Sequence, residues 1–349
     1  MKKKLIRDFA PDSTNFRNSE GDFIRLSDGR IMFVYTRYGK GDGDGDSADL
    51  YAAFSSDNGD SFSDGTLIFP RERVEADNIM SVTLRRMKNG DIGMYFLKKS
   101  PVCQCRMYLT RSADDGKTWS EPVACIKHCG YFVVNNDRVI TASSGRIIIP
   151  AAYTQVLTDA ETGDTSFGRA AAFFYASDDD GYTWNKIGEC HAGAGFAKSH
   201  TGLQEPGLIE LENGVLKCYF RTDTGKQFES FSFDGGESWS EVQPSDFTSP
   251  TSPISVKRLS DGRLIHVWNP VPLYNGRSER PFGVWTGARN PLVCKVGDEC
   301  FTIEDDESRG FAYTAVFQCA ENEILLGYCA GGSEDKAMLN RLRITKLYL

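Results

Sequence analysis

Three sets of residues in this chain could do chemistry by type and spacing. The first is sulfur and imidazole, in Cys103-x-Cys105 and Cys125-x-x-His128-Cys129. These are the ligand types zinc prefers, but its protein sites usually draw them in short-spaced pairs. The chain has no CxxC pair, and no metal is expected. The second set is the acidic loop YGKGDGDGDSADLYAAF, where Asp42, Asp44 and Asp46 alternate as calcium ligands do. Ser47 stands where an EF-hand loop needs glycine, and Ala53 where it needs a bidentate glutamate, so calcium is a weak reading. The third set recurs four times: Ser-x-Asp-x-Gly-x-x-aromatic, at Ser55–Phe62, Ser112–Trp119, Ser177–Trp184 and Ser232–Trp239.

Turn chemistry accounts for the recurring aspartates. Aspartate and serine side chains bond backbone N–H groups of a turn, glycine supplies a positive φ, and the aromatic can tuck between neighbouring sheets. The boxes are therefore read as structural fasteners. Their steps of about 60 residues mark a repeat, and a second series runs beside them. Asp28-Gly29, Asn89-Gly90, Ser144-Gly145, Asn213-Gly214, Asp261-Gly262 and Glu321-Asn322 each separate two apolar, β-rich runs. Dipeptides of this kind mark hairpins. Six hairpins, four followed by a box where third and fourth strands belong, predict a single all-β domain over residues 1–349. Radial repetition limits exposed sheet edges, so the expected form is a six-bladed β-propeller of four-stranded antiparallel blades.

Bulk composition narrows the function. A net charge of −8 argues against nucleic acid, whose phosphates need a basic surface. No apolar run approaches a membrane span, and the start MKKKLIRDFAPDSTNF lacks the apolar stretch of a signal peptide. With cysteines such as Cys218, Cys319 and Cys329 inside apolar runs, a reducing, cytoplasmic setting is expected.

Boxes on a six-hairpin frame resemble the sialidase (neuraminidase) superfamily, and the likeness spans essentially the whole chain. It implies an axial site with an arginine clamp for the substrate carboxylate, a tyrosine nucleophile with a glutamate partner, and an aspartate acid/base. Planar guanidinium forks match a carboxylate in bidentate fashion. A phenol avoids the repulsion a carboxylate nucleophile would meet from an anionic sugar, but needs a base beside it. In GLQEPGLIELENGVLKCYFRTDTG, residues 202–225, Glu205 takes the glutamate's place and Arg221 that of a clamp arginine. They end adjacent antiparallel strands on one rim. In FAYTAVFQCAENEILLGYCAGG, residues 311–332, Tyr313 takes the nucleophile's place and would reach the same rim. The loop VWNPVPLYNGRSERPFGVW offers Arg280 as a further clamp arginine, with Arg277 second. For the acid/base, Asp46 lies at the family's distance, with Asp44 and Asp49 close by.

Two places depart from the family pattern. FRNSEGDFIRL keeps Phe16-Arg17 but not the Ile-Pro that follows in sialidases; the resemblance implies Arg17 as the first clamp arginine, and the departure leaves Arg37, on the following strand, open as a contributor. The polar run Asn136-Asp137-Arg138, at the head of an apolar strand, is expected to contact substrate. Asn78 is a weaker candidate, and His200 is read as an ordinary polar neighbour. The resemblance implies an exo-acting retaining glycoside hydrolase that releases a terminal sialic acid or related acidic sugar without a cofactor. The same site acting on another acidic sugar, or a non-catalytic glycan-binding propeller, are the alternatives.

Overall fold

The structure, a computed structural model, describes residues 1–100, 104–158, 165–193, 198–272, 279–280 and 283–349. Within them the chain is all-β, with only single 3-10 turns between strands, and no helix is long and apolar enough to cross a membrane. All six predicted turns join paired antiparallel strands. Gly29, Gly90, Gly145, Gly214 and Gly262 take φ between 75° and 92°, the left-handed region that selects glycine.

Each hairpin extends into an antiparallel group of up to four strands. In the first, Asn18–Arg25 pairs with Ile31–Tyr38, which pairs with Ala48–Ser55 and then Thr66–Phe69. The fourth follows the same order, Gln204–Glu210, Leu216–Arg221, Lys226–Ser232 and Gln243–Thr248. The last group closes differently. Ala312–Ala320, Glu323–Cys329 and Leu342–Tyr348 take their fourth strand from the other end of the chain, Lys2–Phe9, with Lys2 opposite Tyr348. That pairing covers an edge that would otherwise be open. No turn motif announces it, because the partners are separated by almost the entire chain.

The first strands of successive groups pack side by side. Asn18–Arg25 lies against both Asn78–Arg86 and Ala312–Ala320, and Ser255–Arg258 against both Gln204–Glu210 and Ala312–Ala320. Apolar clusters fill the space between groups. Met32, Leu84 and Trp119 share one, and Phe23, Phe62 and Leu325 another.

The four boxes are superposable turns. In each, the serine hydroxyl donates to the aspartate Oδ1 at 2.8 Å. The glycine N–H donates to the serine Oγ at 2.7–2.8 Å. A later N–H donates to the same aspartate oxygen at 2.8–2.9 Å. These bonds hold the four carboxyls down at about 2. The aromatics reach the preceding group: Trp184 meets Tyr95 edge-on at 6.1 Å, and Trp239 stacks on Phe174 at 4.1 Å.

Cys125 is a buried free thiol in an apolar cluster, and Cys129 is disulfide-bonded; Cys103 lies outside the described residues.

Trp184 is 5% exposed and sits between two groups, so Trp184→Ala should destabilise the fold by about 3–5 kcal/mol. A shift of the denaturant midpoint at unchanged slope measures it.

Candidate active site

Four of the first strands share a distortion at their heads. The pairing slips between Ser19 and Asp22, Met80 and Thr83, Gln204 and Gly207, and Ala312 and Ala315. Inside each bulge one non-glycine residue has a positive φ: Glu20 at 47°, Ser81 at 58°, Glu205 at 45° and Tyr313 at 59°. Such a backbone costs about 1–3 kcal/mol, and it breaks the two-residue alternation of the strand. Small residues make room for it. A Cβ on Gly21 would come within 2.5 Å of Phe33, and one on Gly207 within 2.5 Å of Arg138.

Three of the four bulge residues gather with arginines. The Tyr313 hydroxyl donates to Glu205 Oε1 at 3.1 Å, and Arg221 Nη1 donates to that same oxygen at 2.6 Å and to the Tyr313 oxygen at 3.2 Å. Tyr313 is 8% exposed. Burial and then Glu205 push its phenol above the usual tyrosine range, while Arg289 and Arg221 pull the other way. Burial alone would lower Arg221, but Glu205 and Tyr313 raise it further. The phenol is thus held neutral, with the Glu205 carboxylate as its hydrogen-bond acceptor.

Arg17 is 1% exposed. Its Nη1 donates to Asp44 Oδ1 at 2.7 Å and to the Asp42 carbonyl at 3.0 Å, and its guanidinium lies over the Tyr38 ring. Glu20 Oε1 is 3.5 Å from Arg17 Nη2. The Asp44 carboxyl is lowered: burial opposes this, but Arg17 and Lys99 outweigh it.

The expected residues divide on inspection. Tyr313, Glu205 and Arg221 meet directly. Arg17 lies in the same electrostatic neighbourhood through Glu20, which is raised in part by Glu205 and itself acts on Tyr313. Asp46 turns away: its Oδ2 accepts from the Gly43 N–H at 2.8 Å, and Asn78 holds its carbonyl at 2.6 Å. Asp44, two residues earlier, faces the arginines instead. Asp49 binds Arg71 at the outer edge. Arg37 alternates to the other side of its strand, where it lies over Tyr51 at 4.9 Å and near Asp12; it does not join the cluster.

The arginine that stands over Tyr313 is not the one expected. Arg280 is exposed on its loop, and Arg277 lies outside the described residues. The guanidinium over the Tyr313 ring, at 5.2 Å, belongs to Arg289. Arg289 is 2% exposed and is held by the Thr251 carbonyl at 3.0 Å and by the Trp285 ring. A signal was available: Arg289 stands just before the strand Leu292–Val296, whereas Arg280 lies in mid-loop.

Asn136, Asp137 and Arg138 are not exposed at a strand head. They are 3%, 6% and 6% exposed. Asn136 Nδ2 donates to the carbonyls of Gly21 at 2.8 Å and Tyr313 at 3.1 Å, tying two first strands together. Asp137 takes hydrogen bonds from Arg85 Nη2 at 3.1 Å and the Val316 N–H at 3.1 Å, and pairs with Lys257. Asp22 accepts from the Leu84 N–H and sits beside Arg85 in the same network. Polar residues are needed here because first strands converge and leave backbone groups that only side chains reach. The run supports the site from beneath. Arg138 packs against Gly207 within the influence of Glu205 and Tyr313, and burial lowers it.

The BNR repeat-like domain family matches residues 67–326, about three quarters of the chain. The chain belongs to the sialidase/BNR superfamily. Among curated relatives, the anhydrosialidase of Macrobdella decora is 27% identical over 201 residues, 53% of this chain and 23% of that protein. The sialidase of Bacteroides fragilis is 28% identical over 231 residues, 60% of this chain and 39% of that protein. The chain thus spans well under half the length of either superfamily relative. The NanB sialidase of Streptococcus pneumoniae shares the fold, with a TM-score of 0.69 at 16% identity over 99% of this chain and 70% of that one.

Removing Asp137 would leave Arg85 and Lys257 without their shared buried carboxylate. Asp137→Ala should therefore destabilise the protein by about 3–5 kcal/mol, read as a lowered Tm. A substrate-contact role for Asp137 predicts near-normal Tm instead.

Proposed function

We propose that the chain is an exo-acting, retaining glycoside hydrolase of sialidase type that releases a terminal acidic sugar. The reading takes the six strand groups as blades of a single propeller domain, with the bulged strand heads around its axis. One observation carries it: a buried tyrosine hydroxyl hydrogen-bonded to a glutamate and an arginine, under a second arginine. A lectin has no use for a nucleophile held against its base.

In the first step the Tyr313 oxygen attacks the anomeric carbon and its proton passes to Glu205. The bond to the leaving oxygen breaks as an aspartic acid on the acidic loop protonates that oxygen. Water then attacks the anomeric carbon, giving its proton to that aspartate, and the tyrosine oxygen leaves and recovers its proton from Glu205. Asp44 is the better candidate for the aspartate, since the Asp46 carboxylate bonds its own loop; Asp44 takes the role once the sugar's carboxylate displaces it from Arg17, the first of the charges that hold its carboxyl low. Arg17, Arg221 and Arg289 are assigned to the sugar carboxylate, and none of these steps calls on a cofactor.

Tyr313→Phe removes one oxygen and little packing, so Tm should hardly change while turnover falls by orders of magnitude. Assay against a panel of sialosides and uronosides identifies the sugar. A fluorinated analogue that slows the second step should label wild type at Tyr313 and leave the variant unlabelled. Near-normal turnover by Tyr313→Phe on any glycoside the wild type cleaves would remove the mechanism.

Arg221→Lys keeps the charge but loses the planar fork, so kcat/KM should fall steeply. Wild-type kcat/KM in that variant would exclude Arg221 from carboxylate binding.

A further inference from the structure

Glu20 has no part in the mechanism above, yet it occupies the same bulge position in its strand as Glu205 and Tyr313 do in theirs. It is 3% exposed. One carboxylate oxygen accepts from the Ser81 hydroxyl and the other lies 3.5 Å from Arg17. Arg17 therefore already has two carboxylates, and a sugar carboxylate would be a third.

The two existing partners differ in freedom. The Asp44 side chain is 58% exposed on a glycine-rich loop and can swing aside. Glu20 is enclosed in a strand and cannot. An anion arriving at Arg17 thus meets a fixed carboxyl, and like charges sharing one site cannot both stay ionised. We propose that Glu20 is a further substrate-recognition residue, which must take up a proton for Arg17 to hold the sugar's carboxylate. This deepens the proposed function and rests on it.

The surroundings support that step. Burial pushes Glu20 up to about 7, with Arg17 opposing and Asp44 and Glu205 adding to the rise. Its other titratable neighbours do not change charge near neutrality. The phenols of Tyr38, Tyr131 and Tyr313 and the thiols of Cys105 and Cys329 are all raised by burial. Asp22, on the same strand, is also pushed up to about 7, but faces Asp137, Arg85 and Lys257 beneath the site. The sign follows from linkage. A ligand that binds only the protonated form keeps full affinity below the free-protein value and loses about tenfold per pH unit above it.

The test is calorimetric binding of N-acetylneuraminic acid, and of glucuronic acid as a second carboxylate sugar, to the full chain between pH 6 and 8.5. For wild type, Kd should weaken about tenfold from pH 6 to pH 8, with proton uptake seen on changing buffers. Glu20→Gln should bind with little pH dependence and more tightly than wild type at pH 8. Ser81→Ala removes a donor to the ionised carboxylate, so its transition should move to higher pH. This second variant decides the matter if Glu20→Gln does not fold. Flat wild-type binding, an undiminished slope in Glu20→Gln, or an unmoved transition in Ser81→Ala overturns the proposal while leaving the sialidase-type reading intact. Binding of neither sugar at any pH overturns that reading, and this inference with it.

Discussion

The bulge at the head of the first strands is the constraint on which the candidate site depends. A regular strand would send alternate side chains into the apolar space between groups. One extra residue with a left-handed backbone turns Glu20, Ser81, Glu205 and Tyr313 out of that alternation. Without it, the tyrosine hydroxyl and the glutamate would not meet. The strain is local, and it is held in place by paired strands on either side and by glycines where a Cβ would collide.

Charge is arranged in two levels. The lower level is a closed network, in which Asp137 and Asp22 hold Arg85 and Lys257 and Asn136 bonds backbone across the convergence of strands. Its members satisfy one another. In the upper level Arg221 holds Glu205, Arg17 holds Asp44, and Arg289 is held by a carbonyl and an aromatic ring. Protein groups thus surround guanidinium groups that burial would otherwise leave uncompensated.

Much of this was legible in the sequence because it depends on local chemistry. The boxes read as turns since serine, aspartate and glycine sit a few residues apart and bond one another. The hairpins read correctly because turn dipeptides and β-rich runs are adjacent. Glu205, Arg221 and Tyr313 were named from the resemblance to sialidases, and the structure brings them together because they stand at strand ends on one rim. Arg280 was chosen, with Arg277 second and Arg289 not considered, because loop residues carry no periodicity by which to place them. Asp46 was preferred over Asp44 because spacing says nothing about which way a glycine-rich loop turns a carboxylate.

The sequence by itself determined the all-β class, the repeat and the turn chemistry, for which short-range spacing and strand alternation suffice. The central tyrosine and glutamate were named by the resemblance to sialidases that the sequence carries, not by spacing. Only the tertiary structure decided that the N-terminal strand completes the last group, since no local signal links residues 2–9 to 342–348. It alone placed Asn136, Asp137 and Arg138 beneath the site, because burial at a convergence of strands is a property of their packing. It alone brought Glu20 to Arg17 and Ser81, because a bulge overrides the alternation from which a strand's faces are read.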